Sequence, residues 1–142
     1  MHAPREIRFS RYVDRAYRQV RELLTHEPTR VFARDVDVTL EATTRPPAAP
    51  ALPAMAMTIV WHAKKTTPFE SLRAQLTVYP LSDDETELEL HGWYTPPLGV
   101  LGSAADALVG HRLVEATVHR FLEDVCERLR SDAHGDEGAV AQ

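Results

Sequence analysis

His111, Glu115 and His119 stand four residues apart in a stretch with helical periodicity, which places imidazole, carboxylate and imidazole along one side of a helix. As i, i+4 neighbours, His111 and Glu115 could hydrogen-bond each other, hold a polar group of a ligand, or move a proton as an acid/base pair. The plainer alternative is a pair at the rim of a sheet, meeting water. Helical pairs of this kind also suit a metal ion, but all three residues span about 12 Å along the axis, too far for one ion. The sequence offers no second ligand cluster, so no metal site is assigned. Cys126 lies seven residues beyond His119, about 10 Å along a helix, and reads as a packing residue. Gly-x-Gly-x-x-Gly, a phosphate loop, a Ser/His/Asp constellation and Cys-x-x-Cys are all absent, so no cofactor and no catalytic residue is assigned. Trp61 and Tyr94 share strand parity with apolar neighbours. They either pack in the core or line a pocket with their polar tips toward a ligand.

The elements that carry these residues follow from two periods. Ile7 and Phe9 alternate with Arg8 and Ser10 as a short amphipathic strand. Val13, Ala16, Tyr17, Val20, Leu23 and Leu24 then predict a helix, with Arg11, Arg15, Arg18 and Glu22 on its opposite, solvated face. Pro28 ends it or begins a short second helix over Thr29–Arg34. Val36, Val38 and Leu40 alternate as a half-buried strand, and Met55–His62 is the apolar strand that returns. Between them, residues 43–54 are a Pro/Ala-rich connection, which needs no function as a hairpin link but could serve as a flap or a subunit contact. Leu72–Tyr79 and Glu87–Tyr94 are two more alternating strands. A five-residue loop, Leu81–Glu85, sets Val78 opposite Leu88, Leu76 opposite Leu90 and Leu72 opposite Tyr94, with Arg73 against Trp93 on the outer face. A slip of one residue would bury Glu87 and Glu89. After Pro96, Pro97, Gly99 and Gly102, Ser103 with Asp106 starts a long helix that runs to about Arg130, with Val114, Val118, Phe121, Leu122, Val125 and Leu129 on one face. The order is β-α-β-β-β-β-α. An apolar sheet face needs a cover, and only the last helix is long enough to provide it, so the fold class is α+β with a curved antiparallel sheet gripping a helix.

Composition agrees with one domain. The chain has 142 residues, 44% hydrophobic and 26% charged, a formal charge of −5 and one cysteine. Residues 1–130 are read as a single domain and 131–142 as a flexible acidic tail. A lone cysteine and an N-terminus without an apolar core predict a cytoplasmic protein without a signal peptide. Residues 46–63 carry no charged side chain, but Pro46, Pro47, Pro50 and Pro53 preclude a membrane-spanning helix. The acidic balance, and an Arg stripe without interleaved aromatics, argue against nucleic acid as a partner.

The run from Leu90 to Val125 resembles the end of the START-like, or SRPBCC, superfamily, which includes birch-pollen-allergen-like proteins and polyketide cyclases. The matching pattern is a strand ending in Gly92-x-Tyr94, then Pro96-Pro97-Leu98-Gly99-x-x-Gly102, then Asp106 and an amphipathic helix. The resemblance covers about Glu6 to Arg130 and implies a helix-grip fold whose sheet and long helix enclose a cavity for an apolar or amphipathic ligand. Four strands follow the first helix here, where full-length members usually have six.

On the residues themselves, the face of the last helix that carries Val114 and Val118 also carries Ala104, Ala107, His111 and Glu115. Small side chains followed by polar ones suggest space and handles. The candidate pocket lining is therefore Trp61, Leu76, Leu90, Tyr94, Ala107, His111 and Glu115. Three functions follow: a binding protein for an apolar or amphipathic small molecule; a polyketide aromatase/cyclase-like enzyme using His111 and Glu115, against which stands the lack of a buried Arg on the same face; and a ligand-free interaction module, a homodimer joined through open sheet edges.

Overall fold

The computed structural model describes the backbone of residues 5–32, 36–41, 54–61, 69, 71–95 and 104–140, and within these all side chains but those of 40–41, 104–109 and 132–140. The elements are β1 (Arg5–Val13), α1 (Tyr17–His26), α2 (Pro28–Val31), β2 (Val36–Glu41), β3 (Met55–Trp61), β4 (Ser71–Ser82), β5 (Glu85–Thr95) and α3 (Ala104–Val140). The strands form one antiparallel sheet in the order β1-β5-β4-β3-β2. The expected order of elements and the helix-grip architecture are both present.

The register sorts side chains into rows across the sheet. One inward row runs Val36, Trp61, Leu72, Tyr94, Arg5; the next runs Val38, Ile59, Ala74, Gly92, Ile7; a third carries Met57, Leu76, Leu90 and Phe9; a fourth carries Met55, Val78, Leu88 and Arg11. Apart from the two arginines, Phe9 and Val38, the described side chains of these rows are buried. α3 closes over them with Val114, Val118, Phe121, Leu122, Val125 and Leu129, the face that its periodicity predicts. On the β2–β3 side the seam is aromatic. Trp61 meets Phe121 edge-on with ring centroids 4.3 Å apart and Phe69 at 6.5 Å, while Phe32 stacks on Phe121 at 6.1 Å. Arg128 ties α3 to α2 by donating to the Val31 carbonyl at 3.0 Å.

The expected pairings Val78–Leu88, Leu76–Leu90, Leu72–Tyr94 and Arg73–Trp93 are all found. The connection differs: the turn is only Asp83–Asp84, and a bulge between Pro80 and Ser82 absorbs the extra residue. A tight turn plus a bulge keeps the same inward parity as a longer loop.

The second difference is at the N-terminus. Val13 is not the first residue of a helix but the last of a nine-residue strand paired along β5 as far as Thr86. Arg11 therefore leaves the solvated helix face expected for it and points inward, toward α3. Val13 belongs equally to the strand pattern 7, 9, 11, 13 and to the helix pattern 13, 16, 17, 20, and the charge on Arg11 hid the first. The chain turns at Asp14–Ala16, where the buried Thr86 hydroxyl donates to the Arg15 carbonyl at 2.7 Å. α1 then buries Val20, Leu23 and Leu24, and Pro28, which lacks an N–H, separates it from the single turn of α2. The Pro/Ala-rich run lies outside the described residues except Ala54, as do Ser103 and the Pro96–Gly102 segment.

Candidate functional site

Four polar groups converge where the ends of β1 and β5 meet the first described turns of α3. Tyr94 is buried on the inward face of β5, and its hydroxyl lies 2.6 Å from His111 Nδ1, the two rings stacking at 5.7 Å. The hydroxyl and Nδ1 share this hydrogen bond, and the other ring nitrogen, Nε2, lies 3.7 Å from Glu115 Oε1. Burial raises the Tyr94 phenol above its ordinary pKa, against the opposing pull of the Arg5 guanidinium, which also hydrogen-bonds the hydroxyl; Glu115 adds to the rise. A phenol kept neutral can donate or relay a proton but does not ionise near neutrality. The chain Arg5, Tyr94, His111, Glu115 thus offers a cation, a buried O–H, an imidazole and a carboxylate in sequence, able to hold a carbonyl or hydroxyl oxygen at the wall of the grip.

A second polar station lies two turns along α3. Arg11 donates from Nη2 to His119 Nε2 and to Glu123 Oε1, the latter at 2.9 Å, and His119 Nε2 is 3.8 Å from the same carboxylate oxygen. The His119 ring also packs on Phe9, with centroids 5.7 Å apart.

Of the residues expected at the site, the structure brings together Tyr94, His111 and Glu115. Trp61 sits in the aromatic seam with Phe69 and Phe121; Leu76 and Leu90 face each other at the centre of the apolar cluster. Ala107 lies in α3, but its side chain is outside the described residues. Sequence reasoning missed Arg5 and Arg11, the two arginines that β1 turns inward, and Glu123, the partner of Arg11 on α3. The available signal was the alternation 5, 7, 9, 11, 13, legible only if a charged residue is allowed on an inward face. Among the described residues no group of three His, Cys, Asp or Glu gathers as a metal set, and no helix is long and apolar enough to cross a membrane.

No family model matches this sequence, and no curated protein matches it. Solved structures do. The di-domain ARO/CYC BexL from the BE-7585A biosynthetic pathway superposes with a TM-score of 0.56 at 15% identity over 92% of this chain and 46% of that one, so the chain spans about half of its length. The Zhui aromatase/cyclase from a Streptomyces species superposes with a TM-score of 0.53 at 12% identity, covering 93% of this chain and 94% of that one. The di-domain ARO/CYC StfQ from the steffimycin biosynthetic pathway gives 0.50 at 14% identity over 94% of this chain and 52% of that one. At such identities the likeness is one of fold, and it coincides with the element order, the sheet topology and the closing helix described above: the chain has the helix-grip fold.

Proposed function

We propose that this protein binds an amphipathic small molecule between the sheet and α3, with Tyr94, His111 and Glu115 orienting the polar end of the ligand. The observation that carries this reading is the Tyr94–His111 hydrogen bond on the inward wall of the grip. Polar handles on an otherwise apolar inward wall suit an amphipathic ligand. Titration with 1-anilinonaphthalene-8-sulfonate, followed by its fluorescence, tests this. Tyr94→Phe, which keeps the ring and removes the hydroxyl, is expected to weaken binding by about three- to tenfold, the worth of one hydrogen bond. Unchanged affinity in both Tyr94→Phe and His111→Ala would refute it.

A cyclase-like enzyme is the second reading, favoured by the Tyr94–His111–Glu115 relay and by what the similar structures BexL and Zhui are described as. Arg5 acts on the Tyr94 hydroxyl from β1, but it is exposed, so the lack of a buried Arg at the site still counts against this reading. In this reading the Tyr94 hydroxyl takes a proton from the ligand as it passes its own to His111 Nδ1, and the imidazolium so formed faces Glu115. The edges of β1 and β2 support a homodimer as the third proposal, for which the mass in solution is decisive.

A further inference from the structure

Among the described residues, Arg11 is anchored to α3 through a single atom. Its Nη2 donates to His119 Nε2 and to Glu123 Oε1, the latter at 2.9 Å, while its Nε is buried with no hydrogen-bond partner. A guanidinium has donors only, so His119 Nε2 must accept, and an imidazole nitrogen that accepts carries no proton. The bond therefore requires a neutral His119 with its proton on Nδ1. His119 Nε2 also lies 3.8 Å from the Glu123 oxygen that Arg11 holds, so one carboxylate faces both groups. The other groups about this ring are Phe9 of β1, with centroids 5.7 Å apart, and Glu115, one turn back on α3, which lies 3.7 Å from His111.

We infer that Arg11, His119 and Glu123 form an acid-sensitive latch, which holds β1 on α3 while His119 is neutral and releases it when His119 is protonated. On protonation Nε2 gains a hydrogen and can no longer accept from Arg11, and the imidazolium competes for Glu123. Two cations then share one carboxylate, and a guanidinium whose Nε already lacks a partner loses the imidazole half of its anchor. The Cys126 thiol lies beside the latch: it is buried, it lines the groove between Ser10–Tyr12 and this part of α3, and both Arg11 and Glu123 act on it electrostatically. β1 and α3 also bring Arg5 and His111 to the Tyr94 hydroxyl, so the latch joins the two elements that flank that site. It holds or opens whether or not that site takes a ligand.

The test uses Cys126 as the reporter of opening and 4,4′-dithiodipyridine as the probe, a reagent that reacts with thiols in mild acid as well as at neutrality. Rates are taken at about pH 7.5 and about pH 5.5, either side of the range where imidazoles ordinarily titrate. Each is divided by the rate of the urea-unfolded protein at the same pH, which removes the pH dependence of the reagent itself. The expected result is a normalised rate about fivefold or more higher at the lower pH, the worth of one hydrogen bond. In His119→Gln, whose side-chain oxygen can accept from Arg11 but does not titrate, the rate stays low at both. In His119→Lys, a cation at both, it is high at both. His26, His91 and His111 titrate in parent and variants alike, so their effect cancels in the comparison. Should His119→Lys fail to fold, the parent and His119→Gln decide the matter alone. A parent rate that does not change with pH, a rise in His119→Gln equal to the parent's, or a folded His119→Lys with a low rate would overturn the inference.

Discussion

Replacing Gly92 by alanine probes the part of the sheet on which the site rests. A Cβ at this position would lie 2.5 Å from the Arg73 carbonyl oxygen, 2.6 Å from the Ala74 Cβ and 2.7 Å from the Ala74 Cα. Real Cβ atoms do not approach other heavy atoms so closely, and two of the three neighbours are backbone, which cannot swing aside as a side-chain tip would. Glycine is required here for space, because the neighbouring strand comes too near for any side chain. Overpacking of this kind costs about 1–3 kcal/mol, and the backbone contacts place Gly92→Ala in the upper half of that range, about 2–3 kcal/mol. For a domain of this size that lowers Tm by about 6–12 °C. Urea unfolding followed by far-UV circular dichroism measures the loss directly, and an unchanged m-value would show that both states keep their compactness. The double variant Ala74→Gly/Gly92→Ala removes the Cβ–Cβ clash but keeps the carbonyl contact, so part of the loss should return as a non-additive coupling. A Gly92→Ala protein within about 0.5 kcal/mol of the parent would refute the argument, since the strands would then have room that the register denies them.

Three other outcomes follow from buried groups. Burial pushes the Cys126 thiol up to about 11, against the lowering pull of Arg130 and Arg11, so iodoacetamide at about pH 8 should label it only in denaturant, as read by mass spectrometry. The folded state favours the protonated thiol, so its contribution to stability is complete below the ordinary value of 9.0 and is lost as pH rises from there toward about 11; a Cys126→Ala variant should lack that segment of the pH–stability curve. Thr86→Val keeps the shape of a fully buried residue but strips the Arg15 carbonyl of its donor at 2.7 Å, and should cost about 1–2 kcal/mol in urea unfolding.

Most of the sheet was legible because errors in it are expensive. The β4–β5 register could be read from parity alone: any slip of one residue would bury Glu87 and Glu89 and expose Leu88 and Leu90. The same logic failed at the start of the chain. Arg11 breaks the apolar alternation of β1, and its compensation, Glu123, lies 112 residues away. Local pattern carries no trace of a partner that distant. The site shows the same division. Tyr94 follows from strand parity, and His111 with Glu115 follows from helical spacing, so their meeting required only that α3 cross the sheet. Arg5 joins them through the Arg5–Tyr94 pairing, which depends on β1 lying beside β5 and not beside its neighbour in sequence, β2.

The two seams of α3 explain why the arginines are on β1 and nowhere else in the inward rows. On the β2–β3 side the helix is held by Trp61, Phe69, Phe121 and Phe32, whose contacts require dry surroundings. On the other side the sheet ends at β1, and water reaches the gap between strand edge and helix, where an apolar row would remain half-exposed. Arginine suits that position, because its stem can lie along the apolar floor while its guanidinium meets the helix at the water boundary. His111, Glu115, His119 and Glu123 repeat every four residues along α3 and so present acceptors to this edge over about 18 Å. Arg5 and Arg11 are six residues apart in the strand, about 20 Å. Arg11 meets His119 and Glu123, and Arg5 acts on the Tyr94 hydroxyl that bonds His111, so one strand supplies a cation to each of the two polar stations. Polar groups on α3 that look from sequence like a solvated face are, on the β1 side, the half of the grip that water can reach.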